Sequence, residues 1–119
     1  MLLFAQIAVA IVLLIHVYIV LLETVFFDTR GRRVFGLSAE KAAVVKPAMS
    51  NQGCYNAFLV AALALGLLHG DPAVRAAFVN YGLLCVAVAG IWGGLTVSKR
   101  IIFVQTAPAL IALLLFHFA

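Results

Sequence analysis

Glu23, Asn51, Gln52, Tyr55, Asn56 and Gln105 are the side chains of this sequence best placed to do chemistry, because each falls in or at the edge of a long apolar run. An ionisable group at the centre of a membrane helix costs roughly 2.5 to 3.5 kcal/mol, so Glu23 must face protein, a wet cavity or an interface. A carboxylate held there serves as a general acid/base, or as a salt-bridge partner for Arg30 or Arg33. Asn51 and Tyr55 stand four apart, as do Gln52 and Asn56, which puts two adjacent polar stripes on one helix face. Amides there orient polar groups of a ligand, and the Tyr55 hydroxyl donates a proton or a hydrogen bond. His16, seven residues before Glu23, shares its face and makes a proton relay conceivable.

The elements that must position these groups follow from composition. Of 119 residues, 66 % are hydrophobic and 10 % are charged, with a mean hydropathy of +1.21. A water-soluble domain carries about 25 % charged residues, so lipid is the expected solvent for most of this surface. The same figures argue against a disordered tail, a disulfide-stapled module and a nucleic-acid binder, although the isoelectric point is near 9.5. Four spans are expected, at about 2–27, 48–69, 73–97 and 101–118, with an aqueous loop over 28–47. Pro47 suits the first turn of the second span, Ser38 is a weak cap for a short interfacial helix, and Pro108 should bend the fourth span. The short connections predict an all-α, integral membrane four-helix up-down bundle in a single domain.

Lys and Arg fix the expected orientation. Arg30, Arg32, Arg33, Lys41, Lys46, Lys99 and Arg100 lie in the first and third connections, whereas Arg75 alone lies on the other side. The positive-inside rule then places those loops in the cytoplasm and both termini outside. All four spans bring polar side chains to the cytoplasmic half, which predicts a polar cup. In the plainer reading these groups only glue helices together, at ~0.6 kcal/mol per bond. Gly90 with Gly94, and Ala62 with Gly66, have the spacing that lets helices approach closely. Cys54 and Cys85 read as reduced thiols, and no metal-ligand spacing is present.

The stretch Asn51-Gln52-Gly53-Cys54-Tyr55-Asn56-Ala57-Phe58, together with the Thr29-Arg30-Gly31-Arg32-Arg33 loop and a first helix carrying His16 and Glu23, resembles the small bacterial membrane proteins grouped as domain of unknown function 1304. That resemblance covers nearly the whole chain, implies a bacterial cytoplasmic (inner) membrane as the location, and implies no activity. A more distant likeness is to the MAPEG superfamily of membrane proteins in eicosanoid and glutathione metabolism. It rests on four spans, a basic first cytoplasmic loop, Asn51, and Gln105 three residues before Pro108. The likeness implies a MAPEG-like homotrimer with glutathione between subunits near the cytoplasmic face. The sequence departs from that pattern at Cys54, where the superfamily has Glu, and in Gly90-Ile91-Trp92-Gly93-Gly94-Leu95, which lacks its Arg and Tyr.

The resulting expectation is a membrane protein that binds or converts a small lipophilic or amphipathic ligand in a cytoplasm-facing polar pocket, with glutathione the narrower ligand that the MAPEG likeness implies. Its site would comprise Glu23, Asn51, Gln52, Tyr55, Asn56, Gln105, Arg30 and Arg33, with Glu23 and Tyr55 as the candidate catalytic groups. A non-catalytic assembly or scaffold protein is the alternative. A proton or small-cation conductor through His16 and Glu23 is a third reading.

Overall fold

A computed structural model describes residues 2–119. Helix α1 spans Leu2–Glu23, and a π-helical turn at Phe27–Gly31 leads into the single turn α2, Arg32–Val34. The long α3 covers Ala39–Leu68 and α4 covers Pro72–Thr96. A second π-helical turn, Ile102–Thr106, feeds α5, Ala107–His117. The long helices form a ring in which α1 packs on α3 and α5, and α4 packs on the same two.

Helices α1, α3 and α4 are each long and apolar enough to cross a membrane, and Ile102–His117 is a shorter apolar helix. The molecule is 47 Å along its longest axis, against ~40 to 45 Å for a bilayer with its headgroups. Its core is small: Val9 and Val12 of α1, Leu63 of α3, Val79, Leu83, Val86 and Ala87 of α4, and Ala109 and Ala112 of α5. Large apolar side chains such as Phe4, Leu14, Phe58, Leu68, Trp92 and Phe103 point outward instead. Apolar contacts inside and an apolar surface outside are the arrangement of a membrane protein.

Pro47 does not begin a helix. Ser38 caps the helix by accepting from the Lys41 backbone N–H at 3.2 Å, and α3 then runs 30 residues with Pro47 in its interior. The expected short interfacial helix and the span after it are therefore one element. An interior proline forfeits one backbone bond, and here it does so among exposed residues. The loop expected over 28–47 is correspondingly mostly helical. Gly36, at φ +66°, ends α2 in a Schellman turn: the Leu37 N–H reaches the Arg32 carbonyl at 2.9 Å and the Gly36 N–H reaches that of Arg33 at 3.2 Å.

Pro108 acts through the π turn just before it. The Ala107 N–H donates to the Ile102 carbonyl, five residues back, so the chain is already in the wider register where the proline ring arrives. Gly90, Gly93 and Gly94 give that segment room on α4. A Cβ at Gly90 would lie 2.2 Å from Thr106 Oγ1, and one at Gly94 would lie 2.2 Å from Ile102 Cγ1. Thr106 then donates to the Ala87 carbonyl at 2.9 Å, tying the fourth segment to α4. Gly66 plays the same part at the α3–α4 crossing, where an added Cβ would meet Val79.

Candidate functional site

The site is built where the end of α1 meets the middle of α3. Glu23 is the last residue of α1 and is only 2 % exposed. Asn56, in the middle of α3, donates from Nδ2 to Glu23 Oε1 at 2.6 Å. Gln52, one turn earlier on the same stripe, lies against the same carboxylate. A hydrogen bond to an ionisable group is worth more than one between neutral groups, and it bridges two helices here.

Gly53 makes this approach possible. A Cβ at that position would stand 2.5 Å from Thr24 Cγ2 and 3.2 Å from Glu23 Cβ. The α3 backbone thus packs directly on the Thr24 and Glu23 side chains, and Asn56 three residues on comes within reach. Thr24 keeps its own hydroxyl satisfied by donating to the Val20 carbonyl at 2.6 Å. Gly31 performs a similar service below the site. Its hypothetical Cβ would sit 2.0 Å from the Leu22 carbonyl oxygen, so the π turn folds tightly under the end of α1.

Directly beside this pair runs a groove of about 200 Å³ between the two helices, lined by Val17, Val20, Leu21, Ala57 and Val60. Its wall is apolar. Ala57 follows Asn56 in sequence, and Val20 is one turn from Glu23, so the groove opens next to the polar pair.

The other expected site residues divide. Asn51, Gln52 and Tyr55 are exposed, with Tyr55 edge-on to Phe58 at 5.8 Å between ring centroids. Glu23 is closed in by its neighbours, so Asn51 and Tyr55 present an outward face while Asn56 and Gln52 flank the carboxylate. Gln105 is half-buried, its Cβ within 2.9 Å of where a Gly90 side chain would begin, and is engaged in the α4 contact. Arg30 turns to Tyr18: its Nε donates to the hydroxyl at 2.5 Å and its Cζ lies 5.6 Å from the ring centroid. Arg33 is exposed. Among the described residues the one ion pair is Lys46 with Asp28, which ties the start of α3 to the first π turn.

His16 is fully buried. Its Nδ1 bonds the Val12 carbonyl at 2.9 Å, which assigns the ring proton to Nδ1 and leaves Nε2 with no hydrogen-bond partner. Both cysteines are free thiols, and among the described residues no cluster of His, Cys, Asp and Glu could hold a metal ion. Gly53, Thr24 and Gly31 are structural members of the site that residue chemistry alone does not single out. The available signal was a lone glycine amid polar residues in an otherwise unbroken helix.

No curated protein and no solved structure matches the chain. The family model described as protein of unknown function (DUF1304) matches residues 10–117, and the chain belongs to that family.

Proposed function

We propose that this is a four-span protein of the bacterial inner membrane, with both termini outside, that holds an amphipathic ligand along the α1–α3 seam. The observation that carries this reading is the adjacency of the apolar Val17–Val60 groove to the Glu23–Asn56 pair. A tail in the groove is desolvated by five apolar side chains while a polar head reaches the half-buried Asn56, the donor that holds the Glu23 carboxylate. Ligand sites have this composition, mostly apolar with a few fixed polar groups. Tyr55 lies on the outward face of the same helix, about 200° round from Ala57. If the ligand is converted, Glu23 is the acid/base. The homotrimer implied by the MAPEG likeness would set a neighbouring subunit against the outward face of Asn51, Gln52 and Tyr55. Glutathione is the narrower ligand that likeness offers.

The test is thermal unfolding of the purified protein in mild detergent with lysophospholipid or glutathione added. Lysophospholipid is expected to raise the melting temperature of the wild type and to lose that effect in Glu23→Gln, which keeps the acceptor oxygen for Asn56 and so keeps the fold. An equal shift in both proteins would remove Glu23 from the site. A shift with glutathione would select the narrower reading, and its absence at millimolar concentration would discard it. The burial of Glu23 also favours a second reading, a non-catalytic assembly protein, in which Glu23→Gln alters subunit stability and no added amphiphile has an effect.

A further inference from the structure

We infer that the amphiphile of the α1–α3 groove is an anionic, phosphate-bearing lipid whose headgroup is clamped by Arg30 at the rim marked by Tyr18. This rests on the groove reading above and adds the charge and chemistry of the head. A guanidinium offers five N–H donors, and Arg30 commits its Nε to the Tyr18 hydroxyl. The terminal nitrogens remain on an exposed residue. The nearby carboxylates are spoken for, since Asp28 pairs with Lys46 and Glu23 accepts from Asn56. Tyr18 fixes the guanidinium by a hydrogen bond and by its ring face, so part of the ordering cost of binding is met beforehand.

Position decides what the clamp would take. Tyr18 is five residues before Glu23, about 7.5 Å further along α1 from the basic loop that supplies Arg30. The guanidinium is therefore drawn away from the loop toward the apolar length of the helix, on which Leu14 and Val25 are also exposed. A cation in such partly desolvated surroundings attracts an anion more strongly than one in open water. Tyr18 also adjoins Val17 and is one turn from Leu21, both of which line the groove. One cation and one apolar channel thus share a rim, which matches a phosphate with an attached acyl chain. Arginine grips a phosphate through two parallel bonds, which lysine cannot reproduce.

The experiment uses the full chain in nanodiscs containing equal phosphatidylglycerol and phosphatidylcholine, followed by gentle extraction and quantitation of the retained lipid. Wild type is expected to retain phosphatidylglycerol over phosphatidylcholine by about fivefold, the factor for one basic residue at an anionic surface. Arg30→Gln should retain the same total lipid with the preference gone, Arg30→Lys should keep part of it, and Tyr18→Phe should weaken it. Equal retention of the two lipids by wild type, or an undiminished preference in Arg30→Gln, overturns the anionic assignment. In those cases the groove reading survives if Val60→Phe still expels both lipids, and it falls if Val60→Phe retains them. Displacement of phosphatidylglycerol by excess inorganic phosphate would show that the head alone is recognised and would overturn the lipid assignment. Circular dichroism melts of each variant confirm that the helices are intact.

Discussion

Glu23 and Asn56, one ending α1 and the other in the middle of α3, are joined by a 2.6 Å hydrogen bond at a crossing that Gly53 holds open. The bond joins two helices whose shared groove is apolar. Its consequences are separable by substitution, because the glycine, the donor and the acceptor can each be changed alone.

Gly53→Ala should destabilise the protein by about 1 to 3 kcal/mol, the cost of forcing a methyl group into a filled space. The obstacle is Thr24 Cγ2, so adding Thr24→Ser, which deletes that methyl and keeps the hydroxyl bonded to Val20, should recover most of the loss. Thermal melts of the single and double variants in one detergent decide this. Equal instability of both would mean that the crossing is not set by this contact.

Asn56→Ala should cost about 1 to 3 kcal/mol by leaving the buried Glu23 carboxyl without its donor. Glu23→Gln should cost less, and the double variant should be no worse than Asn56→Ala alone. A double-mutant cycle that returns simple additivity would show that the two side chains are not coupled in the membrane protein.

The two loop glycines should respond differently. At Gly31 the obstacle is backbone, the Leu22 carbonyl, so Gly31→Ala should be the most damaging single methyl addition in the first connection. Gly36 has open space around it but φ of +66°, so Gly36→Ala should cost only about 1 kcal/mol and Gly36→Asn less. Reversal of this order in unfolding experiments would contradict the packing of the π turn under α1.

Thr106→Val keeps the shape of the side chain and removes its bond to the Ala87 carbonyl. The expected loss is about 1 kcal/mol, with faster hydrogen exchange confined to the Ile102–His117 segment. Uniform acceleration through all four helices would mean that the segment does not open independently.

How much of this could be read beforehand depends on the residue. Glu23 facing protein and the i, i+4 alignment of Gln52 with Asn56 follow from the cost of charge in lipid and from helical period, and the membrane-compatible helices follow from hydropathy. Proline misleads at Pro47, because an X-Pro step before an apolar run looks the same whether it opens a helix or interrupts one. The π turns leave no residue signature except the nearby Pro108, since a bond five residues back uses the same backbone groups. Arg30 stands near enough in sequence to partner Glu23, but the π turn directs it to Tyr18, twelve residues away, and no local pattern encodes that reversal. Gly53 was legible as a residue and illegible as a contact, because its role exists only against Thr24.

The α1–α3 groove as a ligand site is tested most directly by native mass spectrometry of the protein released from nanodiscs, comparing wild type with Ala57→Phe. Wild type is expected to carry a bound amphiphile on each subunit, and Ala57→Phe, with an aromatic ring filling the groove and an unchanged melting temperature, is expected to carry none. A wild type free of bound amphiphile, or an Ala57→Phe variant that carries the same one, would contradict a binding site at this seam.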